Sequence, residues 1–408
     1  MLAQVIDALR DVLSAERASV FQYDPMDHTL FATRAHGLPN DLRLPADLGI
    51  VGEAAKSRKI VNISDAYADE RFNPAVDKAT GFRTRCLLTI PLVDPNGALV
   101  GVAQVLNKSL DAGGVFTQED EVLAGHLAAQ AAIALKRSAL LDAQIQKEKM
   151  EADLKIARSI QMSAMPKHLP KVPGYEIACR FEPADETGGD AFDVIDLGDL
   201  PRPEGEHDVS PGYQLFMGDA TGHGVGAALS VVQVLAMIRM ACRLHSMLDD
   251  VAFHVNEQLC RDLPAGRFVT AFLGRLLPEK HELHWVSAGQ APLLFLKKGD
   301  ESAPDTLAMA ANGMPFGIDE GFLTESVEPF RFEDGDVFAL LSDGYYETMN
   351  PQGQLFGVKR VVESLRAHQH ESAEAMLDAL LTALEEFSAG AGQDDDRTAV
   401  LIKRAAGS

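Results

Sequence analysis

Apolar and polar positions alternate in short runs over the first part of the chain and again over its last part, with a long helical pattern between them. The early runs SVFQYD and TLFATRAHG, and the later CLLTIPLVD and ALVGVAQVLNK around the turn PNG, have the period of two that is typical of strands. The stretch MLAQVIDALRDVL before them has a helical period. The pattern therefore predicts a half-buried antiparallel sheet with helices over residues 1–137.

From Asp120 the pattern becomes helical and stays so until Pro166. A helix of that length with no internal cap is typical of a coiled coil or a signalling connector. Ser138 and Glu148 interrupt a rough apolar seam that consists of Leu127, Ala131, Ala134, Leu141, Ile145 and Leu154. We expect residues 138–165 to form a helical connector, and the seam favours a homodimer paired through the first domain and this helix.

Short apolar runs return after the connector, separated by turns rich in Gly and Asp. They are YEIACRFEP, AFDVIDLG, YQLFMGD, RFVTAFLGRLL, ELHWVSAG, PLLFLKKG, DVFALLSDG and TAVLIKR. Helical stretches lie at residues 224–244 and in the pair VKRVVESLRAH and AEAMLDALLTALEEF, while residues 198–212 predict an exposed loop. The fold class is therefore α+β, with a β-sandwich flanked by helices over residues 166–408.

Charge and cysteine content narrow the choice of partners. The 37 Lys and Arg residues against 60 Asp and Glu give a formal net charge of -23, which repels phosphate backbones and anionic lipid. We therefore expect neither nucleic acid nor a membrane as a partner. The four cysteines have no CxxC spacing, and the longest uncharged run, residues 224–238, is too short to span a bilayer. With no signal-peptide pattern, these features predict a cytoplasmic protein.

Several aspartates stand where apolar runs end and the chain turns. They are Asp190 and Asp193 in GGDAFD, Asp219 in GDATGHG, Asp343 in SDG, and Asp394, Asp395 and Asp396 before the last run. One such Asp is usually turn chemistry, but strands of a single sandwich can bring these ends together. Carboxylates that close repel one another unless a cation holds them. The pattern therefore predicts a divalent-cation site, and a cation pair can activate water for phosphoester hydrolysis.

No side-chain nucleophile motif competes with this interpretation, because the chain has no GxSxG, CxxxxxR or HExxH. The glycines of residues 218–224 would let the backbone approach the metals, with the carbonyl after Asp219 free to coordinate. His223 in the same loop is either a general acid or a turn residue, and the turn role is favoured.

The order of motifs ARSIQMSAMP, GGDAFD, DATGHGVGAAL, FVTAFLGRL, AGQAPLL, LLSDGYYETMN, LFG and DDRTAVLI resembles the PPM family of metal-dependent protein phosphatases. The resemblance covers residues 150–404 and is to the branch of the stage II sporulation phosphatase and the bacterial sigma-factor regulators. It implies two manganese or magnesium ions. The matching ligand positions are Asp190, Asp219, Asp343 and Asp395, with Ala220 offering its carbonyl. Arg397 and Thr398 fix the register that selects Asp395 and leaves Asp394 ambiguous.

The same resemblance implies a phosphoprotein substrate, a phosphoserine on an anti-sigma-factor antagonist. This branch commonly reads AGH where the chain has Ala288, Gly289 and Gln290, so any role of a histidine at position 290 is lost. The four carboxylates are complete, which favours an active serine/threonine phosphatase. Two alternatives remain, a catalytically silent partner-binding scaffold regulated by the first domain and a small-molecule phosphohydrolase.

The first domain resembles a GAF domain. Asn107 and Lys108, followed by Phe116, Asp120 and Glu121, match the NKFDE signature of the GAF domains of cyclic-nucleotide phosphodiesterases and some bacterial cyclases. An ion pair from Lys108 to Asp120 would explain the signature, because it would tie the last strand to the exit helix. That role is structural support rather than ligand contact.

Residues 62–85 resemble the ligand-covering segment of the same group. The resemblance implies cyclic AMP or cyclic GMP as a ligand, with candidate contacts at Asp65, Tyr67, Asp69 and Thr84. Two alternatives remain open, another small ligand and a domain that only dimerises.

Overall fold

The computed structural model describes residues 2–35, 43–200, 212–244, 246–299, 308–321, 324–325, 327–390 and 392–406. The chain divides into two compact units, Met1–Lys149 and Met150–Ser408. Each unit mixes helices with antiparallel strands, so the predicted α+β class is confirmed. Most of the loop predicted over residues 198–212 lies outside the described residues.

The first unit is built around one six-stranded antiparallel sheet. In chain order its elements are α1 (Leu2–Val12), β1 (Ala15–Asp24), β2 (Thr29–Ala35), β3 (Arg43–Pro45), α2 (Gly49–Ser57), β4 (Val61–Ile63), α3 (Ala75–Thr80), β5 (Leu87–Val93), β6 (Leu99–Lys108) and the start of α4 (Gln118–Ala164). The strand order is β3-β2-β1-β6-β5-β4. Leu9 of α1 and Ala128 and Leu135 of α4 pack with Val20 and Val105 into one core, so both helices are held against the sheet.

A buried ion pair joins the end of β6 to the start of α4. The Lys108 ammonium contacts the Asp120 carboxylate, and both residues are largely buried. The same carboxylate accepts a hydrogen bond of 2.7 Å from the Thr117 amide, and the Thr117 hydroxyl accepts one of 3.3 Å from the Asp120 amide. This reciprocal cap fixes the first turn of the helix. The ion pair expected from the sequence is therefore confirmed.

Helix α4 is continuous over 47 residues, as the unbroken helical pattern predicts. Ala131 and Leu135 near its start are buried in the core of the first unit. Further along, Leu140, Leu141 and Ile145 each expose more than half of their surface. The apolar residues of this helix are therefore buried near residues 131–135 and exposed from residue 140 to residue 145. The predicted start of the connector at residue 138 stays a prediction.

The second unit contains two five-stranded sheets. Its elements are β7 (Tyr175–Glu182), β8 (Asp190–Asp196), β9 (Tyr213–Ala220), α5 (Val225–Arg243), α6 (Leu248–Asp262), β10 (Val269–Leu277), β11 (Glu282–Ala288), β12 (Leu293–Leu296), β13 (Ala308–Met309), β14 (Phe330–Arg331), β15 (Val337–Leu341), α7 (Asp343–Tyr346), α8 (Gly357–Ala367), α9 (Ala373–Ser388) and β16 (Arg397–Arg404). The strand orders are β14-β11-β10-β9-β8 and β13-β12-β15-β16-β7. Phe272 of one sheet and Phe338 of the other lie with ring centroids 5.3 Å apart, so the sheets face each other across a shared apolar core.

Every strand expected in this unit from its apolar run is present, whereas the two-residue strands β13 and β14 are additional. Helix α6 was not expected, although its buried Val251, Val255 and Leu259 recur at helical spacing. Among the described helices, α5 alone is long and apolar enough to cross a membrane by length and composition. Its Val231 and Leu235 are buried in the sandwich core, whereas Leu229 and Met240 each expose more than half of their surface.

Candidate metal centre

Antiparallel pairing brings the predicted aspartates to one edge of the sandwich. In the first sheet Asp190, at the start of β8, lies directly opposite Asp219, near the end of β9. In the second sheet Asp343 follows β15 and Asp395 precedes β16, and these two strands are antiparallel neighbours. The two pairs meet across the sheets, where the Asp190 amide contacts the Asp396 carboxylate at 3.4 Å. The four predicted ligand residues therefore occupy one neighbourhood.

Burial and mutual repulsion raise the pKa values of Asp190, Asp219 and Asp343. Burial raises the pKa of Asp219 to about 7, with further increases from the charges of Asp343 and Asp395. Burial likewise raises the pKa of Asp343 to about 6, and Asp395 adds to the rise. The pKa of the fully buried Asp190 lies well above its ordinary value, first because of burial and then because of Asp219. Each carboxylate thus feels at least one of the others, as a shared cation site requires.

The three consecutive aspartates before β16 have different surroundings. The Asp396 carboxylate is buried and accepts hydrogen bonds from the amides of Ala184, at 2.8 Å, and Asp190. Asp395 is exposed, and one of its oxygens accepts a bond of 2.8 Å from the Asp396 amide. Asp394 is exposed and is not among the charges that shift the pKa of Asp219 or Asp343. Asp396 is therefore committed to the backbone, and Asp395 faces the cluster.

The arrangement has two features that fit a cation. Asp190 Oδ2 is fully buried and forms no hydrogen bond of regular geometry, although hydrogen bonding by Thr398 and Ser342 lowers the pKa of this carboxyl; such an oxygen is costly to bury unless a ligand satisfies it. A Cβ atom on Gly189 would lie 2.7 Å from the Ala220 carbonyl oxygen and 3.1 Å from Asp219 Oδ1, so only glycine allows this approach. Carboxylate and carbonyl oxygens are the donors that magnesium and manganese prefer. The donor set therefore suits these metals.

The described side chains do not form a finished cage by themselves. No three His, Cys, Asp or Glu side chains in the described part of the chain are drawn together at metal-ligand spacing. Burial and the neighbouring carboxylates raise the pKa values of Asp190, Asp219 and Asp343, and a cation between these groups would favour their charged forms.

Two other polar residues singled out in the sequence lie outside the cluster. Asp193 forms an ion pair of 2.6 Å with Arg239 of α5, so its carboxylate supports the attachment of that helix to β8. His223 is exposed in the loop between β9 and α5, flanked by Gly222 and Gly224 with φ of 90° and 78°. Such backbone angles favour glycine, and the loop therefore turns tightly just beyond Asp219.

The last turns of α4 contact the loop that carries Asp190, through residues that the sequence did not single out. Gln161 is buried in a stretch of helix that is otherwise mostly exposed. Its Nε2 donates to the Gly188 carbonyl at 2.8 Å and the Asp190 carbonyl at 3.3 Å, and its Oε1 accepts from the Gly188 amide at 3.2 Å. Arg158 donates to the Glu186 carbonyl at 3.2 Å. The helix therefore holds the loop on both sides of Gly189.

A separate cavity of about 170 Å³ lies in the first unit. Its wall is mostly apolar, and its polar lining residues include Arg17, Asn73, Asp77, Gln104 and Thr84. The Arg17 guanidinium lies 3.9 Å from the centroid of the Phe82 ring, another lining residue.

Of the four candidate ligand contacts in this unit, Thr84 lines the cavity and the other three do not. The Thr84 hydroxyl and amide donate to the Asp77 carboxylate at 2.8 and 2.6 Å, and Tyr67 donates to the same carboxylate at 3.1 Å. Asp65 caps a single helical turn, and Asp69 forms an ion pair with Arg71. These contacts fold the covering segment onto the cavity.

Comparison with known proteins identifies both units. The family model for the GAF domain matches residues 1–135, and the model for stage II sporulation protein E matches residues 210–405. The chain joins a GAF domain to a sporulation protein E domain. The expected resemblances to a GAF domain and to the stage II sporulation phosphatase branch are therefore confirmed, while the NKFDE signature stays a prediction.

Each named relative matches only part of this chain. The dual 3',5'-cyclic-AMP and -GMP phosphodiesterase 11A of Takifugu rubripes is 43% identical over 81 residues, 20% of this chain and 9% of that protein. The phosphodiesterase 11 of Drosophila melanogaster is 38% identical over 122 residues, 30% of this chain and 8% of that protein. The chain thus spans less than a tenth of the length of these relatives. The SiaA-PP2C domain of Pseudomonas aeruginosa has a TM-score of 0.50 at 20% identity, covering 64% of this chain and 98% of that one, which shows a PP2C fold.

In the cation-free protein, we expect the free energy of unfolding to fall as pH rises from about 4 to about 7. The folded chain holds protons on Asp219 and Asp343, with pKa values of about 7 and about 6, that the unfolded chain releases near pH 3.8. This contribution is complete below the unfolded pKa and is lost as pH rises through the folded values. Asp219→Asn should reduce the fall in Tm between about pH 4 and pH 7 by a few degrees, as measured by thermal unfolding in the presence of chelator. Asp394→Asn is the matched control, and identical profiles for both variants would contradict a shared carboxylate field.

Proposed function

We propose that the protein is a metal-dependent phosphoserine/phosphothreonine protein phosphatase. One observation carries the proposal: four carboxylates from two sheets lie at one edge of the sandwich, beside the buried Asp190 Oδ2, which forms no hydrogen bond of regular geometry. Two divalent cations, manganese or magnesium, would be held by Asp190, Asp219, Asp343 and Asp395 together with the Ala220 carbonyl. The sporulation protein E family match over residues 210–405 supports the same assignment.

When bound, such cations supply an activated water and neutralise the charge of the phosphoryl group. The chain's own contribution is to hold the ligand residues in place. The Asp396 carboxylate fixes the amides of Ala184 and Asp190, and Gln161 fixes the carbonyls on either side of Gly189. No side-chain nucleophile is required, because water attacks the phosphoester.

The substrate we propose is a phosphorylated signalling protein of the anti-sigma-factor antagonist class, on the basis of the family match. We also propose a cytoplasmic homodimer. The exposed apolar residues Leu140, Leu141 and Ile145 of α4 support pairing through the helix, and the four free cysteines suit a reducing compartment. The alternatives are a silent partner-binding scaffold and a small-molecule phosphohydrolase.

For the GAF domain we propose a cyclic nucleotide ligand, cyclic AMP or cyclic GMP, in the cavity that Thr84 and Arg17 line. The similarity of part of this chain to two dual cyclic-AMP and cyclic-GMP phosphodiesterases supports the class of ligand. The guanidinium of Arg17 offers the cavity a positive charge that suits a phosphate.

We propose that the state of the GAF domain reaches the metal centre through α4 by a shift between two populations. The helix is continuous from the core of the first unit to Gln161, whose hydrogen bonds hold the Asp190 loop. A rotation or translation of its last turns would move Gly188 and Asp190 together. Ligand binding would thereby change how well the cations are held.

The phosphatase proposal predicts that Asp219→Asn, Asp343→Asn and Asp395→Asn each lower manganese-dependent hydrolysis of an aryl phosphate by about 100-fold or more. Each replacement removes an anionic ligand, and losing several kcal/mol of cation stabilisation has this effect on the rate. Asp394→Asn, one residue from a proposed ligand, should stay within about 3-fold of wild type.

Equal losses for Asp394→Asn and Asp395→Asn would reject the ligand register. Wild type that releases no phosphate with either metal would favour the scaffold, and efficient release from a nucleotide but not from a phosphoprotein would favour the small-molecule enzyme.

The ligand proposal predicts that cyclic AMP or cyclic GMP gives a saturable heat on titration into the full chain. Arg17→Met should weaken this binding by about 10-fold, since a charge-assisted hydrogen bond to phosphate is lost. Arg10→Met removes a cation from the surface of α1 in the same unit and should leave the affinity unchanged. No heat with either nucleotide at millimolar concentration would reject the proposal.

The coupling proposal predicts that Leu154→Pro abolishes the effect of GAF ligand on turnover, because proline breaks the helix between the two units. Leu154→Ala keeps the helix and should keep the response. The measurement is the ratio of phosphate release with and without cyclic nucleotide in the full chain. Regulation that survives in Leu154→Pro would show that the signal does not pass through α4.

A further inference from the structure

Gln290 is a buried polar residue between the two sheets of the sandwich that the cation site itself does not use. It follows β11 and exposes 5% of its surface. An amide buried this deeply must satisfy both its donor and its acceptor, so its partners indicate what it supports.

The Gln290 side chain joins the two strands that lead to opposite sides of the carboxylate cluster. Its Oε1 accepts a hydrogen bond of 3.1 Å from the Thr270 hydroxyl on β10, and its Nε2 donates one of 3.2 Å to the Leu341 carbonyl at the end of β15. Thr270 is the strand partner of Asp219, and its hydroxyl also lies 3.4 Å from the Asp219 carbonyl oxygen. Leu341 precedes Asp343 by two residues. One amide therefore links the backbone supports of both carboxylates.

The main chain at Gln290 is also fixed, so the amide cannot follow either strand freely. The Ser287 hydroxyl donates to the Gln290 carbonyl at 2.5 Å. The preceding Gly289 is bridged to Ala271 of β10, and its amide donates to the Gly313 carbonyl at 2.9 Å. Gln290 thus behaves as a short link of fixed length between the sheets.

A link at this position can resist the separation of the two sheets. Asp219 and Asp343 belong to different sheets, and their charges push the two strand ends apart whenever no cation lies between them. The core holds the sheets together further along the strands, but at this edge a polar side chain spans them. A neutral amide resists separation without adding a charge that would compete with a metal for the carboxylates.

We propose that Gln290 is a positioning residue that holds Asp219 and Asp343 at the spacing required to bind a divalent cation. The inference rests on the proposed phosphatase function, because it assumes that these carboxylates are ligands. Gln290 does not touch the reacting atoms, and it acts through Thr270 and Leu341.

The test is calorimetric titration of Mn²⁺ into the full chain carrying Gln290→Leu, which keeps the size of the side chain and removes both hydrogen bonds. We expect the Mn²⁺ dissociation constant to rise by about 10-fold, the equivalent of about 1.4 kcal/mol. The matched control is Gln369→Leu. Gln369 likewise donates to two backbone carbonyls, of Leu296 and Gly335, but at the opposite end of β15 from Asp343. We expect its Mn²⁺ affinity to equal that of wild type.

A second variant guards against a fold defect in Gln290→Leu. Thr270→Val removes the hydroxyl from the other end of the link with little change in shape, and it should weaken Mn²⁺ binding in the same direction. The double variant should be no weaker than the worse single one, because both remove the same link. Wild-type affinity in Thr270→Val and in folded Gln290→Leu would overturn the role of Gln290 and leave the metal site standing. A wild-type protein that binds no Mn²⁺ would overturn the metal site and this inference together.

Discussion

Repulsion among buried carboxylates is the constraint around which the second unit is organised. The groups that hold this cluster in place are neutral. Backbone amides donate to the Asp396 carboxylate, and the side-chain amides of Gln161 and Gln290 support the chain around Asp190, Asp219 and Asp343. Among the described residues, no Lys or Arg forms an ion pair with Asp190, Asp219 or Asp343. Three residues along β8, in contrast, Asp193 is paired with Arg239. A protein cation at the cluster would relieve the repulsion, but it would also occupy the place that a metal needs.

Features that depend on a local pattern or on the spacing within a motif could be predicted from the sequence. Period-two runs predicted the longer strands, and the register set by Arg397 and Thr398 selected Asp395. That selection stays a prediction: the Asp396 carboxylate accepts hydrogen bonds from backbone amides, and the charges of both Asp395 and Asp396 raise the pKa of Asp219. The ion pair between Lys108 and Asp120 could be predicted for the same reason, because the two residues flank one strand-to-helix connection.

What the sequence did not reveal are contacts between distant segments. Gln161 looks like an ordinary surface residue of a polar helix, and only the fold shows that it is buried against a loop 27 residues later. Gln290 was noted only for the histidine it replaces, whereas its two partners come from both sheets. Helix α6 was missed because its apolar positions are diluted by charged residues. In the GAF domain, Asp65, Tyr67 and Asp69 lie in the covering segment, but their side chains stabilise its turns and do not line the cavity.

The position of β16 has a consequence for how the enzyme is made. This strand lies between β15 and β7 in its sheet, yet it is the last strand of the unit, while β7 is the first. The sheet therefore has a gap in its middle until residues 397–404 have left the ribosome. Until then β15, which Asp343 follows, pairs with β12 alone and lacks its second partner, β16, which Asp395 precedes. A message truncated shortly before this strand therefore yields a protein whose second sheet is not closed and which lacks the carboxylate of Asp395 if the cut also precedes that residue.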